Sequence, residues 1–165
     1  MEKKMMTKTF MVAEIVNIVS WYNKIRSEEA TKHKFDCLPF KIQYALRNNI
    51  KAMAEAIKTF DEMKNEFAQQ LQQEFFTEEK IDKVPGENGG DDQLKLKDEY
   101  VDEYRTKCAE LDKKLYEVAI EKTDVSLSCY SLEDIIDNLD EEAIEKSGID
   151  IDDFSMLEFM NTEEA

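Results

Sequence analysis

The longest regular pattern of hydrophobic positions in the chain runs from about Pro39 to about Phe76. Apolar side chains recur there in a four-three-four-three rhythm, which breaks once where Lys64 takes an expected apolar position. This spacing predicts one long amphipathic helix, and its period of about 3.5 residues favours packing against a partner helix. Pro39 suits the first turn of that helix, where its missing N–H is not needed. The rhythm is carried by Leu46, Ile50, Met53, Ile57, Phe60, Phe67 and Leu71.

Two shorter patterns of the same kind flank this segment. A first helix is predicted from about Thr9 to Arg26, with Thr7 or Thr9 as its cap, and a polar connection from Ser27 to Leu38 follows it. A return helix is predicted from about Lys97 to Tyr116. Residues 78–96 contain three of the four glycines and one of the two prolines, which is typical of turns. That segment forms either a short β-hairpin or a frayed loop, and we favour a mobile tip.

The C-terminal part begins with extended structure and continues in short helices. Alternation from Glu117 to Leu127 predicts a strand or a pair of strands. Ser131 precedes acids that suit the first turn of a short helix ending near Leu139. Asp140 opens a further helix that ends at Gly148. Asp152 or Asp153 is expected to cap a last apolar segment, running to Met160, that docks on the body of the protein.

These elements predict a mainly α fold: a long antiparallel helical hairpin with an N-terminal helix and a small α+β C-terminal part. The low content of glycine and proline, four and two residues, fits a helical chain. A chain of 165 residues suits one domain. We therefore expect a single domain over 1–165, divided into 1–38, 39–116 and an acidic subdomain at 117–165.

The net charge of −16 is unevenly distributed along the chain. Residues 1–60 carry eleven Lys/Arg against six Asp/Glu, whereas residues 61–165 carry eleven against thirty-two. From Tyr130 onward the only basic residue is Lys146, among thirteen acids. Such polarity bears on partner choice rather than on fold. The candidate protein-interaction surface comprises Asp134, Asp137, Asp140, Glu141, Glu142, Glu145, Asp150, Asp152 and Asp153.

No constellation of residues indicates catalysis, a cofactor or a metal. His33 is the only histidine, and structural zinc needs four ligands. The acids at 150–153 lack the central glycine of a calcium-binding EF-hand loop. The three widely spaced cysteines, with no secretory signal and no membrane-spanning run, predict a reducing, cytoplasmic location. We expect no enzymatic activity and no membrane association.

The N-terminal half carries a basic face interleaved with aromatic residues, Phe35, Phe40 and Tyr44. Nucleic-acid binding usually needs a net basic domain, so direct binding of DNA or RNA is disfavoured here. Charge balance with the acidic C-terminal region and head-to-tail self-association into a homo-oligomer are both preferred to it. The basic positions are Lys24, Arg26, Lys32, Lys34, Lys41, Arg47, Lys51 and Lys58.

Four stretches of the chain carry a resemblance to a known group of proteins. They are Lys41–Asn49 (KIQYALRNN), Phe60–Met63 (FDEM), Leu111–Ile120 (LDKKLYEVAI) and Leu157–Met160 (LEFM). In layout and in these stretches, residues 15–160 resemble small uncharacterised proteins encoded by tailed phages and prophages of Firmicutes. That group has no assigned activity, so the resemblance implies no functional residues.

Three functional hypotheses follow from these observations. The leading one is a non-enzymatic phage or mobile-element accessory protein that acts through protein–protein interaction. The second is an acidic decoy inhibitor, of anti-CRISPR or DNA-mimic type, that occupies a basic nucleic-acid-binding protein of host defence. The third is a small metal-dependent enzyme. In the first two the partner is another protein in the host cytoplasm, and a basic nucleic-acid-binding protein fits the acidic surface best.

Overall fold

The computed structural model describes residues 1–163, so Glu164, one of the thirteen acids after residue 129, and Ala165 lie outside it. Helices account for 63% of the residues, and the mainly α class is confirmed. The strands form two antiparallel pairs, β1 with β4 and β2 with β3. In chain order the elements are β1 (Lys4–Met11), α1 (Val12–Ser27), α2 (Phe40–Ala56), α3 (Lys58–Phe75), β2 (Ile81–Val84), β3 (Gln93–Leu96), α4 (Asp98–Ala119), β4 (Lys122–Cys129), α5 (Leu132–Asp137), α6 (Glu141–Ser147) and α7 (Ile151–Met156).

The chain divides into two compact units. The first unit comprises Met1–Lys58 and the residues from Glu121 onward, and the second unit is Thr59–Ile120. These limits differ from the predicted boundaries at 38/39 and 116/117. The reason is that α2 packs on β4 and β1 pairs with β4, so the beginning and the end of the chain share one body.

The strand pair β1–β4 is the feature of the first unit that the sequence pattern did not predict. Its register runs from Lys4 opposite Cys129 to Met11 opposite Lys122. The predicted start of the first helix at Thr9 is therefore wrong. The helix begins at Val12, and the Glu14 carboxylate accepts the Met11 N–H at 2.8 Å in place of a threonine cap.

The predicted extended segment over Glu117–Leu127 is correct only in its second half. Helix α4 continues to Ala119, and the strand runs from Lys122 to Cys129. Val125, Leu127 and Cys129 point to the core, as the period of two in a strand requires.

The core of the first unit lies between α1, α2 and β4, which carry many of its fully buried side chains. Asn49 is buried among them, and its amide both donates to Ser128 O and accepts from Ser128 N–H, at 2.8 Å each. The C-terminal segment docks on this body as predicted. Tyr130 N–H donates to Met160 O at 3.0 Å. The fully buried apolar residues of the first unit include Ile15, Ile42, Leu46, Met53, Leu127, Ile135, Leu157 and Met160.

The predicted long helix is two helices, because the backbone leaves helical dihedrals at Ile57 (φ −105°, ψ 10°). Helix α2 ends at Ala56 and α3 begins at Lys58, next to the limit between the two units. Ile57 and Phe60 are both buried, so the apolar rhythm continues across the break. Hydrophobic spacing reports which side chains are buried and is insensitive to one residue with non-helical dihedrals.

The second unit contains α3, the β2–β3 hairpin and α4. The hairpin pairs Ile81 with Leu96 and Val84 with Gln93. Asn88 (φ 57°) and Gly89 (φ 78°) make its turn in the left-handed region. Of the two alternatives for residues 78–96, the short β-hairpin is the one that the structure contains. The predicted return helix is confirmed as α4 to within three residues at its end.

Candidate protein-interaction surfaces

The short helices α5, α6 and α7 hold most of the C-terminal acids in place. Each begins with a side-chain cap: Ser131 accepts from Asp134 N–H, Asp140 accepts from Ala143 N–H, and Asp150 accepts from Asp153 N–H. Acids in the first turns are stabilised by the N-terminal end of the helix dipole. Gly148 ends α6 in the left-handed region (φ 72°) as expected.

Eight of the nine acids predicted for the interaction surface are exposed, and together they are called the acidic surface below. Lys146 is the one basic residue on these helices, and its Nζ pairs with Glu142 Oε1 at 2.7 Å. Apolar residues below the carboxylates, Leu132, Ile135 and Ile149, are buried and fix the helices to the core. The acidic surface consists of Asp134, Asp137, Asp140, Glu141, Glu142, Glu145, Asp150 and Asp152.

Asp153 is not part of that surface, because it is 5% exposed. Its carboxylate accepts from Lys34 Nζ at 2.8 Å, from Trp21 Nε1–H at 3.3 Å and from Asp150 N–H at 3.1 Å. The prediction that Asp152 or Asp153 caps the last helix is also wrong, since Asp150 takes that position. Asp153 instead ties α7 to the connection after α1. A carboxylate three residues after the cap is the local signal of this arrangement.

The ionisation of this network follows from its geometry. The hydrogen bond to Asp153, together with the charges of Asp153 and Asp150, raises the pKa of Lys34. The Asp153 N–H that the Asp150 carboxylate accepts lowers the pKa of Asp150, and Lys34, 3.6 Å away, acts in the same direction. Lys34 and Asp150 are thus both favoured in their charged forms.

A second surface lies between α1, α2 and the 3₁₀ helix Lys34–Cys37, and we call it the aromatic–arginine groove. Phe35 forms its floor, 2% exposed and stacked on Tyr22 with ring centroids 5.6 Å apart. Phe40 and Tyr44 project at its mouth, 80% and 62% exposed. The groove is open to solvent and has a volume of about 160 Å³. The lining residues are Tyr22, Arg26, Phe35, Phe40, Gln43, Tyr44, Leu46 and Arg47.

Sequence reasoning named several of these residues as part of a basic face but did not predict a groove. Of the eight basic positions in that face, Lys34 does balance an acid of the C-terminal region. Arg26 and Arg47 instead border the groove. The burial of Phe35 beside Tyr22 creates the groove, and no local spacing indicates it.

The lone histidine lies on the exposed side of the same connection. His33 Nδ1 is 2.7 Å from Asp36 Oδ2, and Cys37 Sγ donates to Lys34 O at 3.4 Å. Within residues 1–163, no group of three or more His, Cys, Asp or Glu side chains is arranged to hold a metal ion.

Comparisons with known proteins give no indication of function, so a functional proposal depends on these surfaces. No protein-family model, curated protein or solved structure matches the chain. Among residues 1–163, no helix combines the length and the hydrophobicity that crossing a bilayer requires.

Proposed function

We propose that this is a non-enzymatic accessory protein of a phage or mobile element, and that it acts in the host cytoplasm by binding another protein through the acidic surface. One observation carries the proposal: eight exposed carboxylates lie on three consecutive capped helices whose only basic residue, Lys146, is already paired with Glu142. Such a surface favours a basic partner by electrostatic complementarity.

The support beneath the acidic surface fits a binding role. The caps fix the backbone of α5, α6 and α7, and the Lys34–Asp153 pair with the Trp21 hydrogen bond anchors α7. A surface that is ordered before binding loses little conformational entropy when the partner arrives, which favours affinity. The carboxylates are therefore preorganised rather than carried on a free tail.

The second unit supplies the structural arm in this proposal. The β2–β3 hairpin reverses the chain, and Phe75 and Phe76 at the end of α3 pack edge-on against Tyr104 of α4, at 5.3 and 6.0 Å between ring centroids. These contacts support an antiparallel helical hairpin formed by α3 and α4.

The test is affinity capture of proteins from a host lysate, with the purified protein immobilised. A triple variant that neutralises the acidic surface (Asp137→Asn, Glu145→Gln, Asp152→Asn) should lose the captured partner, because attraction to a basic protein depends on local potential. The matched control changes net charge equally in the second unit (Glu62→Gln, Asp91→Asn, Asp112→Asn) and should retain it. Equal loss in both variants, or no specific partner for the wild type, would contradict the proposal.

A decoy of nucleic acid is the second candidate, favoured by the density of acids against one lysine from Tyr130 onward. A decoy should capture basic nucleic-acid-binding proteins at low salt only, since exposed charges are screened as ionic strength rises. Duplex DNA added as competitor should displace the captured protein. Capture that persists at high salt and resists DNA would instead indicate an accessory contact with another kind of surface.

A further inference from the structure

The aromatic–arginine groove is a built recess that the proposed function does not use. Its floor is the buried ring of Phe35, its mouth carries Phe40 and Tyr44, and Arg26 and Arg47 border it. Phe40 is 80% exposed, although burying such a side chain would contribute about 1.5–3 kcal/mol. Aromatic and arginine side chains are the residues most enriched at the centres of protein interfaces.

The dimensions and charges of the groove define the chemistry of its occupant. A volume of about 160 Å³ accommodates one apolar side chain, since a cavity of about 150 Å³ holds a benzene molecule. The two guanidinium groups beside it favour carboxylates, which they can bind with paired hydrogen bonds. The fitting ligand is therefore a protein segment with one apolar residue between acids.

The chain itself presents such a segment in Asp150-Ile151-Asp152 at the start of α7. Ile151 is 80% exposed, and together with Phe40 it is the most exposed of the large hydrophobic side chains among residues 1–163. Its two neighbours are exposed acids of the acidic surface. The apolar centre and flanking charges of this segment complement those of the groove.

Within one chain this segment does not fill the groove, since Ile151 and Phe40 are both exposed. Asp153 anchors α7 through Lys34 and Trp21, and in that position Ile151 remains exposed. The same anchoring presents Ile151 in a fixed orientation to another molecule.

We propose that the groove of one copy binds Ile151 of a second copy, with Asp150 and Asp152 facing Arg26 and Arg47. This inference rests on the proposed function in one respect, since it makes a second copy one partner of the acidic surface. Each copy carries both halves of the contact, so the assembly is a reciprocal dimer or a head-to-tail chain. A net charge of −8 on the first unit and −16 on the whole chain disfavours a nucleic-acid polymer as the occupant.

The test is sedimentation velocity across a concentration series at about 0.15 M salt, where repulsion between two acidic copies is screened beyond about 8 Å. Wild type should show a mass that rises with concentration. Phe40→Ser and Ile151→Ser should each weaken association by about tenfold or more. Ile136→Ser is the matched control, because Ile136 is also an exposed isoleucine next to an acid, Asp137, but belongs to α5; it should associate as wild type does.

Charge-reversal variants distinguish the proposed contact from nonspecific association. Arg47→Glu and Asp152→Lys should each prevent association alone, and the double variant should recover it, because the pair is complementary again. A monomeric wild type, unchanged association in Phe40→Ser and Ile151→Ser, or a labelled single-stranded oligonucleotide bound in a Phe40-dependent way would overturn the inference.

The same variants distinguish this inference from the proposed function. Phe40→Ser leaves the acidic surface intact, so it should still capture the basic partner from lysate while failing to self-associate. Wild type that captures a partner but stays monomeric would overturn only the self-association.

Discussion

The two units carry the same net charge but are stabilised in different ways. Each has eight more acidic than basic residues: thirteen Lys/Arg against twenty-one Asp/Glu in the first and nine against seventeen in the second. Yet the buried apolar residues of the second unit are only Phe60, Phe75 and Leu111, against twenty-three among the described residues of the first. The first unit is held together by contacts between distant parts of the chain, whereas the second depends on long helices and one aromatic cluster. The same composition therefore supports a packed body in one region and a sparsely packed one in the other.

The largest loss of stability is expected when the central aromatic side chain of the sparsely packed second unit is truncated. Phe75 is fully buried, with Tyr104 edge-on and Lys80 Nζ 5.1 Å from its ring centroid. Phe75→Ala should cost about 3–5 kcal/mol of unfolding free energy. A unit of this size has about 3–9 kcal/mol in total. Hydrogen exchange should then show rapid exchange across α3 and α4, with β1 and β4 still protected.

The control for this prediction is Phe76→Ala. Phe76 contacts the same Tyr104 ring but is 38% exposed, so its truncation should cost clearly less. Loss of protection in both units after Phe75→Ala would contradict this prediction, because it would show that the two units unfold cooperatively.

The second prediction concerns the buried ion pair that closes the first unit. The Lys34 and Asp153 side chains are 17% and 7% exposed. Asp153→Asn should lower the unfolding free energy by about 2–4 kcal/mol, because it leaves the Lys34 charge without its main partner. Asp152→Asn, its exposed neighbour, should change stability by less than about 0.5 kcal/mol. Urea unfolding measures both, and similar losses in the two variants would contradict the assignment.

This network also sets a pH dependence for the first unit. Because the pKa of Lys34 is raised in the folded state, its contribution to the free energy of unfolding is complete below about pH 10.4. That contribution is lost as pH rises through the folded-state pKa. Because the pKa of Asp150 is lowered in the folded state, its contribution to the free energy of unfolding is present above about pH 3.9. That contribution is lost as pH falls through the folded-state pKa. Lys34→Met leaves in place the Asp153 N–H that mainly lowers the pKa of Asp150, so the stability that wild type has over this variant in urea unfolding should fall chiefly as pH rises through the folded-state pKa of Lys34.

The features that could be predicted from the sequence are those with local causes, and the features that could not depend on residues far apart in the chain. The caps at Ser131 and Asp140 and the stop at Gly148 act over three or four residues, so their spacing alone was sufficient. Lys34 and Asp153 are 119 residues apart, and no local pattern pairs them. For the same reason β1 was not predicted. Its own pattern of apolar and polar residues is weak, and the strand is stabilised by pairing with the distant β4.

The acidic surface could be predicted from the sequence, whereas the aromatic–arginine groove could not. Eight acids were identified correctly as exposed because charged residues on short capped helices are rarely buried. The groove depends on Phe35 packing against Tyr22 from another element, so it could not be found from the spacing of Phe40, Tyr44 and Arg47.

The third prediction compares two asparagines, one in each unit. Asn49 is buried and makes paired hydrogen bonds to the backbone of Ser128, whereas Asn65 is exposed on α3. Asn49→Ala should cost about 2 kcal/mol, because it leaves the Ser128 N–H and C=O without their side-chain partner. Asn65→Ala should be neutral or slightly stabilising, since alanine is the better helix former. Thermal unfolding by circular dichroism is sufficient to separate the two results.

The smallest effect is expected from two glycines, one in each unit, whose φ angles have opposite signs. Gly148 has φ 72° and ends α6, while Gly90 follows the hairpin turn of the second unit with φ −70°. A methyl group at Gly148 would meet no atom within 4 Å, so the cost of Gly148→Ala is conformational and about 1 kcal/mol. Gly90→Ala meets one carbonyl at 3.4 Å and should be neutral or stabilising, because it restricts the unfolded chain. Chemical denaturation of both variants measures the difference. If the two changed stability equally, the left-handed stop at Gly148 would not be what ends α6.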